Sequence, residues 1–226
     1  QSPIVEQMAR PDFYPHRPQK VEAVQTHISY VFIAGDYVYK VKKPVNFGFL
    51  DFTTLEKRKF YCEEELRLNR RLAPSIYLDV APIGRDDAGR LTLGKTANIV
   101  EYAVLMNKLP LDKMLKILLA RGKADAGVMD AVAKKIARFH EEAQTGGRID
   151  EMGSVAVIRH NHEENFAQTE KYIDVTLSDF QHAFLKAYAE KFLSANADLL
   201  ARRVAEHKIR DCHGDLHLEH ICVADE

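Results

Sequence analysis

The stretch that most constrains this chain is Cys212-His213-Gly214-Asp215-Leu216-His217-Leu218-Glu219-His220-Ile221-Cys222-Val223. An acid stands in the middle of a short polar loop. A helical run ending near His207 precedes it, and the apolar run Ile221-Cys222-Val223 comes after it as a strand. Helix, acid-bearing loop, strand is an arrangement that can hold a carboxylate against a substrate hydroxyl. The same residues offer a second chemistry: Cys212, His213, His217, His220 and Cys222 carry the thiolate and imidazole donors that suit zinc. Gly214-Asp215 and the strand-like ending fit poorly with a closed tetrahedral spacing.

Size and charge narrow the rest. A chain of 226 residues suits one large domain or two small lobes. The formal net charge of −1 leaves no footprint for nucleic acid or an acidic lipid surface. No apolar run approaches the roughly 18 residues that span a bilayer, so no membrane partner is expected. No charged, apolar, then small-residue signal opens the sequence. Three widely spaced cysteines, Cys62, Cys212 and Cys222, read as reduced thiols of a cytoplasmic protein.

The first half reads as strands around one helix. A proline-punctuated opening, with a short helix near Ile4–Arg10, leads to β-like runs at 21–26, 30–34 and 37–41. Gly35-Asp36 joins the last two as a hairpin. Alternation puts Lys40 and Lys42 on one face of the third strand. After an aromatic loop, Pro44 to Phe52, Thr53 or Thr54 can cap a helix over 55–72. Most of its charges face water, but Glu65, Leu68 and Leu72 share a face at i, i+3, i+7. Ala73-Pro74 ends it. Further strands are expected at 76–83, 90–93 and 99–105, and Met106 to Pro110 is a connector.

Gly89-Arg90-Leu91-Thr92-Leu93-Gly94-Lys95-Thr96 matches the G-x-x-x-x-G-K-T phosphate-loop pattern letter for letter. That loop requires a helix next, whose N-terminus helps hold the phosphates. The next segment here, Asn98 to Leu105, is β-like, so the octapeptide reads as part of a hairpin. Beyond Pro110 the pattern is helical: 111–121, then about 127–143, with Met129, Val132, Ile136 and Phe139 at helical spacing. Residues 148–163 read as a polar connection holding His160 and His162. Helices are expected over 164–175 and 179–206, with Tyr172, Phe180, Phe184, Tyr188, Phe192 and Leu199 as their core-facing stripe.

His213-Gly214-Asp215-Leu216-His217 resembles the catalytic loop of the aminoglycoside phosphotransferase and choline kinase group, which has the protein-kinase-like fold. The family pattern ends in Asn, where this sequence has His220. Over nearly its whole length the chain also resembles an uncharacterised bacterial family of phosphotransferase-like proteins. Thr26 to Ser29, Tyr39 to Phe52, Cys62 to Pro74, Glu101 to Met106 and His213 to Cys222 carry that likeness. In that family this domain often precedes a P-loop ATPase-like domain, which is therefore an expected C-terminal partner.

The resemblance implies an α+β, bilobal protein-kinase-like fold. The N-lobe, residues 1–105, is an antiparallel sheet with one long helix. The C-lobe, residues 106–226, is mainly helical and carries the catalytic loop at 213–220. It implies transfer of phosphate from ATP or GTP, with Mg²⁺, to a hydroxyl of an unknown small molecule. The alternative is a nucleotide-binding pseudokinase without turnover.

Residue by residue, Asp215 is the base, and His213 and His217 brace the loop. Lys40 holds phosphate, with Lys42 in reserve, and Glu65 is its ion-pair partner, with Glu64 close behind. Ser29 lies in the turn over the phosphates, though that turn, 26–29, lacks glycine. Met106, Asn107 and Leu109 lie at the purine. His140 reads as a core histidine beneath the loop. His220 stands at the metal position with Glu219 as a stand-in, although imidazole is a poor magnesium ligand. A further metal-binding Asp is expected beyond Glu226, so the C-lobe is expected to be incomplete in this sequence.

Overall fold

The computed structural model describes residues 3–48, 50–94 and 98–224. They divide into two compact units, 1–123 together with 218–226, and 124–217.

The first unit is built on a six-stranded antiparallel sheet in the order β1-β2-β3-β6-β4-β5. Its strands are β1 (Val21–Gln25), β2 (Ser29–Ala34), β3 (Tyr37–Lys42), β4 (Tyr77–Arg85), β5 (Leu91–Leu93) and β6 (Ile99–Asn107). The β2–β3 hairpin pairs Ala34 with Tyr37 across Gly35-Asp36. Gly35 sits at φ +64°, in the left-handed region where a side chain is strained.

Alternation along β3 separates two environments. Tyr39 and Val41 join Met8, Phe32, Ile83 and Ala103 in the buried core. α1 (Pro3–Met8) and the 3₁₀ turn Pro11–Phe13 cover that side, where the buried Tyr14 hydroxyl donates to the Met8 carbonyl at 2.6 Å. Lys40 and Lys42 alternate with Tyr39 and Val41 and so fall on the other face. There α2 (Leu55–Asn69) crosses β6 and β4. Thr54 is the cap, its side chain accepting from the Lys57 amide.

β6 runs two residues further than the sequence pattern indicates. Met106 pairs with Val38 and Asn107 with Tyr37, because β3 offers ladder partners that far. The strand-like reading of the G-x-x-x-x-G-K-T octapeptide holds in its described part: β5 precedes Gly94, and β6, not a helix, begins at Ile99. Lys95 and Thr96 lie outside the described residues. The first unit also extends past residue 105. It takes in α3 (Leu115–Ala120), since the 113–115 backbone is paired with 221–223: the Leu115 amide donates to the Ile221 carbonyl at 2.8 Å and the Val223 amide to the Lys113 carbonyl at 2.9 Å. Ile221-Cys222-Val223 is thus a single antiparallel bridge, Cys222 to Met114, rather than a longer strand.

The second unit is helical: α4 (Ala126–Glu142), α5 (Arg148–Glu151), α6 (Val155–Thr169), α7 (Asp179–Ala195) and α8 (Ala197–Ala205). Three expectations are corrected here. Most of the supposed polar connection at 148–163 is helix, because Ser154 caps α6 by accepting from the Val157 amide and Val155-Ala156-Val157-Ile158 supplies an apolar first turn. And the aromatic stripe is not core: Phe180, Phe184, Tyr188 and Phe192 are 49–77 % exposed. α7 packs on α6 and α8 through its other side, where His182 and Leu193 are buried, so the stripe faces away from both neighbours. His140 is likewise exposed. On α4 it lies off the half-buried line of Val128, Val132, Ile136 and Phe139.

Candidate functional site

A polar cluster of the first unit lies between β3 and α2. Glu65 sits under the sheet with its two carboxylate oxygens claimed separately: Lys40 Nζ donates to Oε1 at 2.9 Å and Lys42 Nζ to Oε2 at 2.7 Å. The side chains are 13 % exposed for Glu65, 6 % for Lys42 and 30 % for Lys40. Lys42 also lies over the Phe52 ring, 4.9 Å from its centroid, a cation–π contact. Burial works to raise the Glu65 pKa, but the two ammonium groups outweigh it and hold the carboxyl below its ordinary value. The expected Lys40–Glu65 pair is therefore present, and the reserve lysine shares the same acid. Glu64 turns outward to Arg67, 2.8 Å away.

A second buried ion pair, absent from the sequence expectations, fixes the helix that carries Glu65. The Arg58 Nε donates to both Glu101 oxygens at 2.9 and 2.8 Å, and Nη1 donates to the Phe52 and Thr53 carbonyls. Arg58, Cys62 and Glu65 stand at i, i+4, i+7, which is the face of α2 turned to the sheet. That spacing was the available signal. It was masked because Arg58 lies between two lysines and read as solvated.

The turn at 26–29 uses its own donors internally. The Ile28 and Ser29 amides both donate to Thr26 Oγ1, at 3.3 and 3.0 Å, and Lys43 Nζ clamps the Thr26 carbonyl at 2.6 Å. Ser29 is fully buried, and its hydroxyl has no hydrogen-bond partner among the described residues. At the end of β6, the Asn107 amide donates to the Ile76 carbonyl and the Lys108 amide to the Asp36 carbonyl, both at 2.8 Å. The Asn107 side chain donates to the Ser75 carbonyl at 2.7 Å. Met106 and Leu109 are half-buried. A cavity of about 300 Å³ opens beside Lys42, lined among others by Ile4, Tyr30, Val41 and Glu101, and not by Lys40, Met106, Asn107 or Leu109.

In the second unit, the segment leading to Asp215 is pinned to the end of α4. Arg210 donates to the Glu141 carbonyl at 3.0 Å, and the Asp211 amide donates to the Gln144 carbonyl at 3.0 Å. Gly214 then takes φ +78°, where no Cβ would be tolerated without strain. His213 Nδ1 accepts from the Asp215 amide at 3.3 Å, so His213 braces the loop. Asp215 and His217 are exposed. Leu218–His220 forms a 3₁₀ turn belonging to the first unit, and Glu219 there is ion-paired with Lys116.

Magnesium takes hard oxygen ligands. Of the candidate residues around the loop, Asp215 offers a carboxylate, His213, His217 and His220 offer nitrogen, and Glu219 is already held by a lysine. This donor set does not fit a magnesium ion bound by protein side chains.

The chain is 32 % identical over 205 residues to uncharacterized proteins of Mycobacterium tuberculosis and Mycobacterium bovis, an alignment covering 91 % of this chain and 39 % of each relative. The chain spans about two-fifths of the length of these curated relatives. No family model matches it, and no solved structure matches it significantly. Among the described residues no helix is long and apolar enough to cross a membrane.

Proposed function

We propose that this chain is the phosphotransferase portion of a longer protein with a protein-kinase-like architecture, using ATP or GTP to phosphorylate a hydroxyl of a small molecule. The observation that carries this reading is the buried Glu65 held between Lys40 and Lys42. A strand lysine aimed by a helix glutamate is how such folds present a cation to nucleotide phosphates. Two cations on one acid leave one positive charge in excess, which favours a phosphate-bearing ligand. Asp215, on a loop anchored by Arg210 and turned by Gly214, serves as the base: it accepts the acceptor hydroxyl's proton as the new oxygen–phosphorus bond forms and the bond to the β-phosphate oxygen breaks.

One observation favours a second reading, a nucleotide-sensing module without turnover. The 26–29 turn bonds its Ile28 and Ser29 amides internally, so neither is offered to a phosphate.

The test has two steps. Melting is followed with and without millimolar ATP or GTP, each with and without magnesium; binding is expected to raise Tm, and Lys40→Met to abolish the rise. Release of ADP or GDP is then measured across hydroxyl acceptors with wild type and Asp215→Asn. Turnover lost in Asp215→Asn supports the enzyme; binding without turnover supports the sensing module; no Tm shift with any nucleotide overturns both.

A further inference from the structure

A single lysine would suffice to aim at a phosphate, yet this site has two, and they are not equivalent. Lys42 is 6 % exposed, donates to Glu65 at 2.7 Å and is packed over Phe52; Lys40 is 30 % exposed and donates at 2.9 Å. Only Lys40 retains the solvent access needed to meet an incoming anion. A lysine that moves from a buried acid to a ligand strands that acid, and an unpaired buried charge is strongly destabilising. The cost of stranding opposes binding.

We infer that Lys42 is the positioning residue of this site: it keeps hold of Glu65 so that Lys40 can exchange the carboxylate for a phosphate without leaving a buried anion alone. This rests on the phosphate-binding function proposed for the cluster. During the exchange Lys42 Nζ stays on Oε2, Oε1 loses Lys40, and the Lys40 ammonium pairs with the ligand instead. Arg58 does not substitute, because its guanidinium is committed to Glu101 and to two carbonyls. Among the described residues, the other titratable groups facing Glu65 are Cys62 on α2 and Tyr77 on β4. Burial pushes both up to about 12, so they stay neutral through the working range and supply no countercharge.

Two measurements test it. The first needs no ligand: the Glu65 carboxylate is followed by carbon-13 NMR in Lys40→Met, which mimics the state after Lys40 has left. Lys42 alone is expected to keep Glu65 ionised throughout the neutral range; titration near neutrality in that variant overturns the inference. The second uses tripolyphosphate and calorimetry between pH 6 and 8. Lys42→Met is expected to bind at least about tenfold more weakly than wild type at pH 8 and to recover as pH falls. In that variant Glu65 must take up a proton when Lys40 leaves it. Lys42→Arg is expected to restore the wild-type profile.

A Lys42→Met profile parallel to wild type overturns the inference. Should Lys42→Met fail to fold, Lys42→Met/Glu65→Gln removes the buried anion as well; it is expected to bind without added pH dependence, and dependence there overturns the inference too. Wild type that does not bind tripolyphosphate overturns the phosphate reading and the exchange together, whereas the NMR titration judges the grip of Lys42 on Glu65 by itself.

Discussion

Glu65 sits between two ammonium groups with little access to water, and its protonation is therefore tied to the stability of the first unit. Its carboxyl is held below the ordinary value of about 4.3. A lowered folded value means that the stabilisation is complete above the unfolded value and drains away as pH falls through the folded one. Thermal melts of wild type are expected to lose more Tm between pH 6 and 3 than melts of Glu65→Gln, which starts lower at neutral pH; parallel curves would remove Glu65 from the acid response. This residue was legible in the sequence because strand alternation fixes the face of Lys40 and helical spacing fixes the face of Glu65. Arg58 was not. Its role depends on Glu101, more than forty residues away, and the spacing that puts it on the face of Glu65 is masked by the solvated lysines on either side.

At the level of elements, the helical unit is held by close approaches rather than by a broad core. Gly153, between α5 and α6, shows this best: a Cβ there would sit 2.3 Å from Ile209 Cγ1 and 3.3 Å from Val204 Cγ2. Gly153→Ala is expected to cost about 1–3 kcal/mol by overpacking, read from the urea midpoint; an unchanged midpoint would mean that Ile209 swings clear. Ile209 immediately precedes Arg210, so this contact also steadies the root of the Asp215 loop. Helix caps were partly readable: Thr54 stood among the candidates for α2. The first part of α6, up to residue 163, was missed because its His, Asn and Glu residues look like a connection, while Ser154 and the four apolar residues after it dictate a helix start. The stripe of α7 was read with the right spacing and the wrong side, since periodicity locates an apolar face without saying what lies against it.

For the molecule as a whole, the antiparallel sheet with one crossing helix matches the sequence pattern closely, because alternation and hairpin turns are local signals. Unit membership does not, because it depends on which distant backbone closes which unit. The exposed aromatic face is a whole-molecule property with a direct readout. The dye 8-anilinonaphthalene-1-sulfonate is expected to fluoresce with the native chain and several-fold less with Phe180→Ser/Phe184→Ser; equal signals would place the dye elsewhere.

The bridge of Cys222 to Met114 has a temporal meaning. A ribosome must make the entire helical unit before it delivers the strap that the 113–115 backbone is waiting for. Until then the nascent sheet-bearing half lacks the two strap bonds made at the Lys113 carbonyl and the Leu115 amide, and a protease nick anywhere between the two would leave that half tied to its strap by noncovalent contacts alone.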